Sequence, residues 1–142
     1  MFYFAYGSNM DPDGMRTRAP DAVPLGAARL PGWRLTFTAD DPDDGYGVPH
    51  IEPDPADEVW GVLWEIGDDD LRSLDAYEGN AYTHDVVAVS HDGRDVEAVV
   101  YLATPTGYRA PSPGFMEVLV RGAEAHGLPP GYIERLRRVV AR

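Results

Sequence analysis

The first ten residues constrain the fold of this chain most, because an apolar run ends there in a tight polar turn. The run Met1–Ala5 is apolar and aromatic, and the turn Tyr6–Met10 follows it directly. Such a run, closed by turn residues, predicts a buried strand. Because Gly7 lacks a Cβ, the N–H groups of the turn can converge on a negative charge, as they do in oxyanion and anion sites. The alternative is a strand that ends in an Asx-type turn and binds no ligand.

The length and composition indicate one domain, since the chain has 142 residues and is 44% hydrophobic. It has no cysteine, which excludes disulfides, thiolate zinc sites and a cysteine nucleophile and favours a reducing compartment. No apolar run approaches the ~20 residues that span a bilayer, and no basic leader precedes the first strand. We therefore expect a cytoplasmic protein without membrane partners. The net charge of −12 repels phosphate backbones, so nucleic acid is not an expected partner.

Beyond the first strand, five segments have the branched and aromatic character of strands: Ala22–Leu30, Trp33–Thr38, Glu58–Glu65, Tyr82–Ser90 and Asp95–Ala103. A turn at residues 30–33 is predicted to join the first two of these, and an acidic loop, Asp40–Gly47, follows them. Asp92-Gly93 predicts that the last two form a β-hairpin.

Four segments carry helix signals: a short one from Asp11-Pro12 through Met15, then Asp68–Glu78, Gly114–His126 and Tyr132–Val140. Gly79 and Gly127 stand where the second and third helices are expected to stop. Ile133, Leu136 and Val140 share one face of the last helix, opposite solvated arginines. The fold class is therefore α+β, with strands that close into a small β-barrel and helices that flank it.

One carboxylate of the second helix lies on its apolar stripe. Leu71, Leu74 and Glu78 fall at positions i, i+3 and i+7, so Glu78 is expected to face the core. Burial and the negative end of the helix dipole both raise the pKa of a carboxyl placed there. A general base that works near neutrality needs such a shift. Two alternatives stay open: Glu78 turns outward at the fraying helix end, or Asp75, one turn earlier, is the functional acid.

Other candidate sites are weaker. Tyr6, Tyr77 and Tyr82 can line a pocket or simply pack. The segment that starts at Asp40 resembles a calcium loop, but Pro42 and Ile51 stand where oxygen ligands are required. The four histidines, His50, His84, His91 and His126, lack metal-ligand spacing, so no metal is predicted. Ser8 lacks the flanking residues of a hydrolase nucleophile.

The motifs Tyr6–Asn9 and Leu74–Gly79 together resemble those of the gamma-glutamylcyclotransferase family, also called the AIG2-like or BtrG-like superfamily. The resemblance covers nearly the whole chain and includes these further segments: Phe2, Leu30–Trp33, Glu58–Val62, Tyr82, Ala98–Tyr101, Pro111–Pro113 and Gly127–Pro129. It implies a small mixed β-barrel with flanking helices. It also implies an enzyme that cyclises the γ-glutamyl group of γ-glutamyl amino acids or amines to 5-oxoproline and releases the free amine. No cofactor is implied, the partner is a small-molecule γ-glutamyl substrate, and the protein is expected to be a monomer or homodimer.

The resemblance also assigns site residues. Glu78 takes a proton from the substrate's α-ammonium group and returns it to the leaving amine. The residues implied to bind substrate are Tyr3, Phe4, Ala5, Tyr6, Gly7, Ser8, Asn9, Tyr82 and Phe115. Phe115 departs from the tyrosine that the family often has there and lacks its hydroxyl group. The acidic loop Asp40–Gly47 is a second departure, and it predicts a preference for amine-bearing over acidic leaving groups.

Two other functions fit the same residues. One is a non-catalytic module that binds a small molecule or regulates a partner, since a fold does not fix a function. The other is a cyclotransferase or amide lyase that removes a γ-glutamyl protecting group from a biosynthetic intermediate. Release of 5-oxoproline that depends on Glu78 separates the first of these from an enzyme.

Overall fold

A computed structural model of the chain describes residues 1–39, 45–79, 82–105 and 107–140. The elements are β1 (Phe2–Ala5), α1 (Pro12–Arg18), β2 (Val23–Ala39), β3 (Gly47–Glu65), α2 (Asp68–Glu78), β4 (Tyr82–His91), β5 (Arg94–Ala103), α3 (Pro113–Ala125) and α4 (Pro130–Val140). A 3-10 turn, Ser8–Met10, follows β1. Most of the predicted acidic loop, residues 40–44, lies outside the described residues. No helix within the described ranges is long and apolar enough to cross a membrane.

The strands form a closed barrel in the order β1-β3-β2-β4-β5. β1 pairs antiparallel with β3, and Tyr3 pairs parallel with Val99 of β5 to close the ring. The predicted α+β barrel with flanking helices is confirmed, as is the hairpin of β4 and β5 around Asp92-Gly93.

The prediction of two strands joined by a turn at residues 30–33 is wrong. β2 is continuous, and its register against β3 shifts between Pro31 and Trp33 while Gly32 has a φ of 83°. A shift of this kind is a β-bulge, which bends a strand without reversing it. β3 likewise begins at Gly47, well before Glu58, although its first half contains three prolines. Because proline cannot donate a ladder hydrogen bond, this half has no strand signature in the sequence.

The predicted helices are present, with small changes of boundary. α1 continues to Arg18 instead of ending near Met15, and α2 spans the predicted residues and ends at Gly79, which has a φ of 65°. In α4, Ile133 and Leu136 are buried as expected. The side chain of Val140 lies outside the described part of the chain.

The core has two layers, separated by the barrel wall. One cluster contains only side chains from the strands and from Tyr6, with Phe4 fully buried, and it fills the barrel. The other cluster joins the outer face of β1 to the helices, including Leu74 of α2 and Met116 of α3. β1 therefore contributes to both layers, because successive side chains of a strand point to opposite faces.

Two glycines set how closely the elements around β1 approach. A Cβ on Gly61 of β3 would lie 2.3 Å from the carbonyl oxygen of Ala5 and 2.9 Å from the Phe4 ring. A Cβ on Gly122 of α3 would lie 2.6 Å from the backbone carbonyl carbon of Met10. β1 is thus held directly against β3, and the turn after it is held directly against α3.

Candidate active site

A pocket of about 250 Å³ opens where the turn after β1 meets the C-terminal end of α2. Twelve residues line it: Tyr3, Tyr6, Gly7, Ser8, Asn9, Val48, Pro49, Tyr77, Glu78, Tyr82, Tyr101 and Phe115. Seven of the nine residues that the resemblance assigns to substrate binding are among them, together with the proposed base Glu78.

The turn after β1 presents backbone donors to this pocket. Its internal hydrogen bonds run from the N–H of Met10 to the carbonyl of Gly7 and from the N–H of Asp11 to the carbonyl of Ser8. Within the described residues, the N–H groups of Gly7, Ser8 and Asn9 donate to no protein acceptor. A Cβ on Gly7 would lie 3.1 Å from Cγ of Pro49, so glycine lets this turn approach the opposite pocket wall. Such unpaired donors suit a carboxylate or a developing oxyanion.

Glu78 is the last residue of α2, and the sequence of that helix places it at the pocket. Asp70 accepts a hydrogen bond from the N–H of Gly67 at 3.0 Å, which fixes the start of the helix, and Leu74 is fully buried. Glu78 then falls one turn after Leu74, partly buried, on the side of the helix that faces the barrel. The outward orientation that the sequence left open is therefore not the one adopted.

Burial raises the pKa of Glu78 to about 7, from an ordinary value of 4.5. The positive charge of Arg18 and a hydrogen bond from Asn9 lower this pKa, but burial outweighs both. A carboxyl with a pKa near 7 can accept a proton and return it at neutral pH, which is the requirement for a general base.

Asn9 connects Glu78 to the strand and to α1. Its Nδ2 donates to Oη of Tyr3 at 2.8 Å and to Oε1 of Glu78 at 3.2 Å. Its Oδ1 accepts from Nη1 of Arg18 at 2.6 Å. Asn9 is 2% exposed, so these bonds satisfy a buried amide.

Asp75, the alternative acid, is placed differently. It is exposed, and its Oδ1 accepts from Oη of Tyr101 at 2.7 Å and lies 2.9 Å from Nδ1 of His84. Partial burial raises the pKa of Asp75, but its hydrogen bonds with His84 and Tyr101 outweigh that effect and lower the pKa below its usual range. Asp75 does not line the pocket, so its geometry does not suit a base for a ligand held there.

Tyrosine side chains form much of the pocket wall, and hydrogen bonds hold four of them in place: Tyr3, Tyr6, Tyr82 and Tyr101. Tyr6 donates to the carbonyl oxygen of Tyr101, and Tyr82 donates to that of Pro49 at 2.7 Å. Burial is the largest cause that raises the pKa of Tyr3, Tyr6 and Tyr101, so these phenols are neutral around pH 7. The wall is therefore aromatic with neutral hydroxyl groups.

Two of the assigned residues do not line the pocket. Phe4 points into the barrel and packs at Gly61, and Ala5 belongs to the outer core. Phe115 does line the pocket, because Ser112 caps α3 by accepting from the N–H of Phe115 at 3.1 Å.

The sequence did not indicate four further residues at the site: Arg18, Tyr101, Val48 and Pro49. Arg18 reaches the site only because α1 folds back beside the turn, and Tyr101 does so through barrel closure. For Tyr101 the sequence did contain a usable signal: alternate residues of a strand share a face, so the predicted hairpin already indicated which residues of β5 lie on the same face as Tyr101. Within the described residues, no three His, Asp or Glu side chains gather as a metal ion would require.

Comparison with known proteins places this site in a family context. The AIG2-like family profile matches residues 58–136. Human gamma-glutamylcyclotransferase is 33% identical over 96% of this chain and 77% of its own length, and the mouse protein is 35% identical with the same coverage. A solved structure of a gamma-glutamyl cyclotransferase superposes with a TM-score of 0.91 at 33% identity, covering 96% of this chain and 86% of the other.

Proposed function

The chain belongs to the AIG2-like family and is an enzyme of the gamma-glutamylcyclotransferase type, and on this premise we propose that Glu78 is the general base that cyclises a γ-glutamyl group to 5-oxoproline. The observation that carries the proposal is the pocket carboxyl of Glu78, with a pKa raised to about 7 opposite the unpaired N–H groups of Gly7, Ser8 and Asn9.

The reaction follows from these groups without water. The carboxylate of Glu78 removes a proton from the substrate's α-ammonium group, and the freed amine nitrogen bonds to the γ-carbonyl carbon. The carbonyl electron pair moves to its oxygen, which accepts hydrogen bonds from the turn after β1. When this pair returns, the amide C–N bond breaks and protonated Glu78 gives its proton to the leaving nitrogen; the Glu78 carboxylate then takes the second proton from the ring nitrogen and passes it to the released amine, which leaves as an ammonium ion. The products are 5-oxoproline and the free amine.

The pocket also supports proximity of the substrate's amine and γ-carbonyl as a main source of the rate enhancement. Amine and carbonyl belong to the same substrate molecule, so the enzyme only has to hold the glutamyl chain folded. The aromatic wall that Tyr6, Tyr82 and Phe115 form can exclude water from the folded chain. No step calls for a metal or a cofactor.

The side chains around the pocket bear on the leaving group. In the described part of the chain, the only charged side chain that lines it is Glu78. A leaving group with its own carboxylate therefore meets no direct cationic partner there, which favours γ-glutamyl amines and γ-glutamyl derivatives of neutral amino acids. The preference predicted from the acidic loop concerns residues outside the described ranges and stays a prediction, as do the cytoplasmic location and the monomeric or homodimeric state.

The test is release of 5-oxoproline from a panel of γ-glutamyl amino acids and amines by wild type and Glu78→Gln. We expect kcat to fall by about two to four decades in the variant, with KM largely kept, because general-base catalysis contributes that much. Asp69→Asn is the matched control, since it makes a carboxyl-to-amide change on the same helix at an exposed position whose ion-pair partner is Arg72.

A folded Glu78→Gln protein with wild-type kcat would remove Glu78 from the role of base. No release from any substrate by folded wild type would instead favour a binding module.

A further inference from the structure

Arg18 stands behind the pocket wall, at the last position of α1. It does not line the pocket, yet its Nη1 donates to Oδ1 of Asn9 at 2.6 Å. Its guanidinium carbon lies 4.0 Å from the centre of the Tyr77 ring, in cation–π contact. Arg18 thus contacts two pocket residues on their outer side.

The guanidinium determines which way the Asn9 amide points. Arginine has donors and no acceptor, so only the oxygen of the amide can face it. The NH2 group must then face the opposite direction, where Oη of Tyr3 and Oε1 of Glu78 accept from it. A reversed amide would set two donors against each other at Arg18 and an oxygen against the Glu78 carboxylate.

We propose that Arg18 is a positioning residue for catalysis, which acts through the Asn9 amide to hold Oε1 of Glu78 and so directs Oε2 toward the substrate. This inference rests on the proposed role of Glu78 as the base. In the described part of the chain, Oε2 accepts from no protein donor. The substrate ammonium group is then free to approach that oxygen.

The positive charge of Arg18 also favours the ionised form of Glu78, which is the form that accepts a proton from the substrate. Among the described residues, Arg18 is the one charged side chain that affects the pKa of Glu78, and it lowers that pKa. The other titratable groups around the carboxyl are tyrosines: Tyr3 and Tyr6 at β1, Tyr77 on α2, Tyr82 on β4 and Tyr101 on β5. Arg18 is therefore expected to set how much of Glu78 is ionised at neutral pH.

The experiment compares Arg18→Met and Arg18→Lys with wild type, using kcat and KM as functions of pH. Arg16→Met is the matched control, because it removes a cation from the same helix at a position whose ion-pair partner is the exposed Asp13. A direct titration of the Glu78 carboxyl by carbon NMR adds a readout that does not depend on turnover.

For Arg18→Met we expect the pKa of Glu78 and the acidic limb of kcat/KM to move to higher pH. We also expect the plateau kcat to fall ~10- to 100-fold, because a displaced catalytic group loses about that much. Lysine keeps the charge but not the planar, rigid donor fork. Arg18→Lys should therefore keep the limb near its wild-type position and still lose plateau kcat.

Three results would overturn the inference. If folded Arg18→Met keeps both the acidic limb of kcat/KM and the plateau kcat of wild type, Arg18 has a purely structural role. If only KM rises in this variant, Arg18 binds the substrate directly. If Arg18→Met does not fold, wild-type kcat in Arg18→Lys would also overturn it. The experiments distinguish this failure from failure of the proposed role of Glu78. If Glu78 is not the base, Glu78→Gln stays active, and the NMR titration still shows whether Arg18 changes the pKa of Glu78.

Discussion

Replacing Glu78 by Gln is expected to stabilise the fold in a pH-dependent way, because the native protein ionises this carboxyl at a cost. Gln has nearly the shape of protonated Glu, and its side-chain oxygen can still accept from Nδ2 of Asn9. The substitution therefore removes a titration and leaves the hydrogen-bond pattern of the site in place. An acid that is useful as a base near neutrality should, by this reasoning, weaken the fold at the same pH.

The magnitude follows from the two pKa values of Glu78, about 7 in the fold against an ordinary 4.5. Between these pH values the native protein binds more protons than the unfolded chain, so stability falls as pH rises through the window. Each pKa unit corresponds to about 1.4 kcal/mol, which gives a loss of about 3 kcal/mol once both states are ionised. Below pH 4.5 both states hold the proton, and the penalty disappears.

The assay is urea unfolding of wild type and Glu78→Gln between pH 4.5 and 8, followed by tryptophan fluorescence, since Trp64 is buried. The quantity to compare is the difference between the two unfolding free energies, in which the other titrating groups cancel. We expect this difference to shift in favour of the variant by about 3 kcal/mol from the lowest to the highest pH. A difference that stays constant across the range would refute the buried, raised-pKa carboxyl.

Two further substitutions test the site and its frame. Asp75→Asn replaces the carboxylate that Tyr101 and His84 contact by a neutral amide, which weakens both contacts. It should lower kcat by no more than ~10-fold without moving the acidic limb of the pH profile, since a misplaced pocket wall costs less than a missing base; a loss as large as that of Glu78→Gln would reassign the base to Asp75. Gly61→Ala forces a Cβ to 2.3 Å from the Ala5 carbonyl oxygen and should cost at least about 2 kcal/mol in the urea unfolding free energy. Gly114→Ala, where a Cβ meets nothing within 4 Å, is its control and should change that free energy little. Equal stability of the two alanine variants would contradict the close packing of β1 on β3.

Local patterns predicted much of this fold. Strand β1, its turn and helix α2 are specified by short-range signals: an apolar run before a glycine turn, an acidic first turn and a glycine stop at Gly79. Helical periodicity predicted that Glu78 faces the core but left an outward orientation at the fraying helix end open, and the buried Leu74 four residues earlier accounts for the inward one. Patterns within one element determine which face that element buries.

The remainder depends on partners far apart in the chain. The first half of β3 is a strand because β2 pairs with it, although its prolines argue against strand formation. Arg18 belongs to the site because its helix packs beside the turn after β1, and no spacing in the sequence indicates that Asn9 will face it. Hydrogen bonds of this kind connect residues 9 and 78, which only the closed barrel brings together.

The same closure explains why a buried acid is tolerated here. β1 is held against Gly61 of β3 and the turn after it against Gly122 of α3, so Asn9 enters the site on a backbone that has little freedom to move. A donor held in this way can stabilise the carboxylate of Glu78 without a second charge in the pocket, and Arg18 supplies its charge from behind the wall. The pocket keeps its aromatic lining for the substrate. The packing of the barrel and α3 around β1 and its turn offsets the unfavourable free energy of ionising Glu78. Loosening that packing should therefore affect the protonation of Glu78 as well as the stability of the fold.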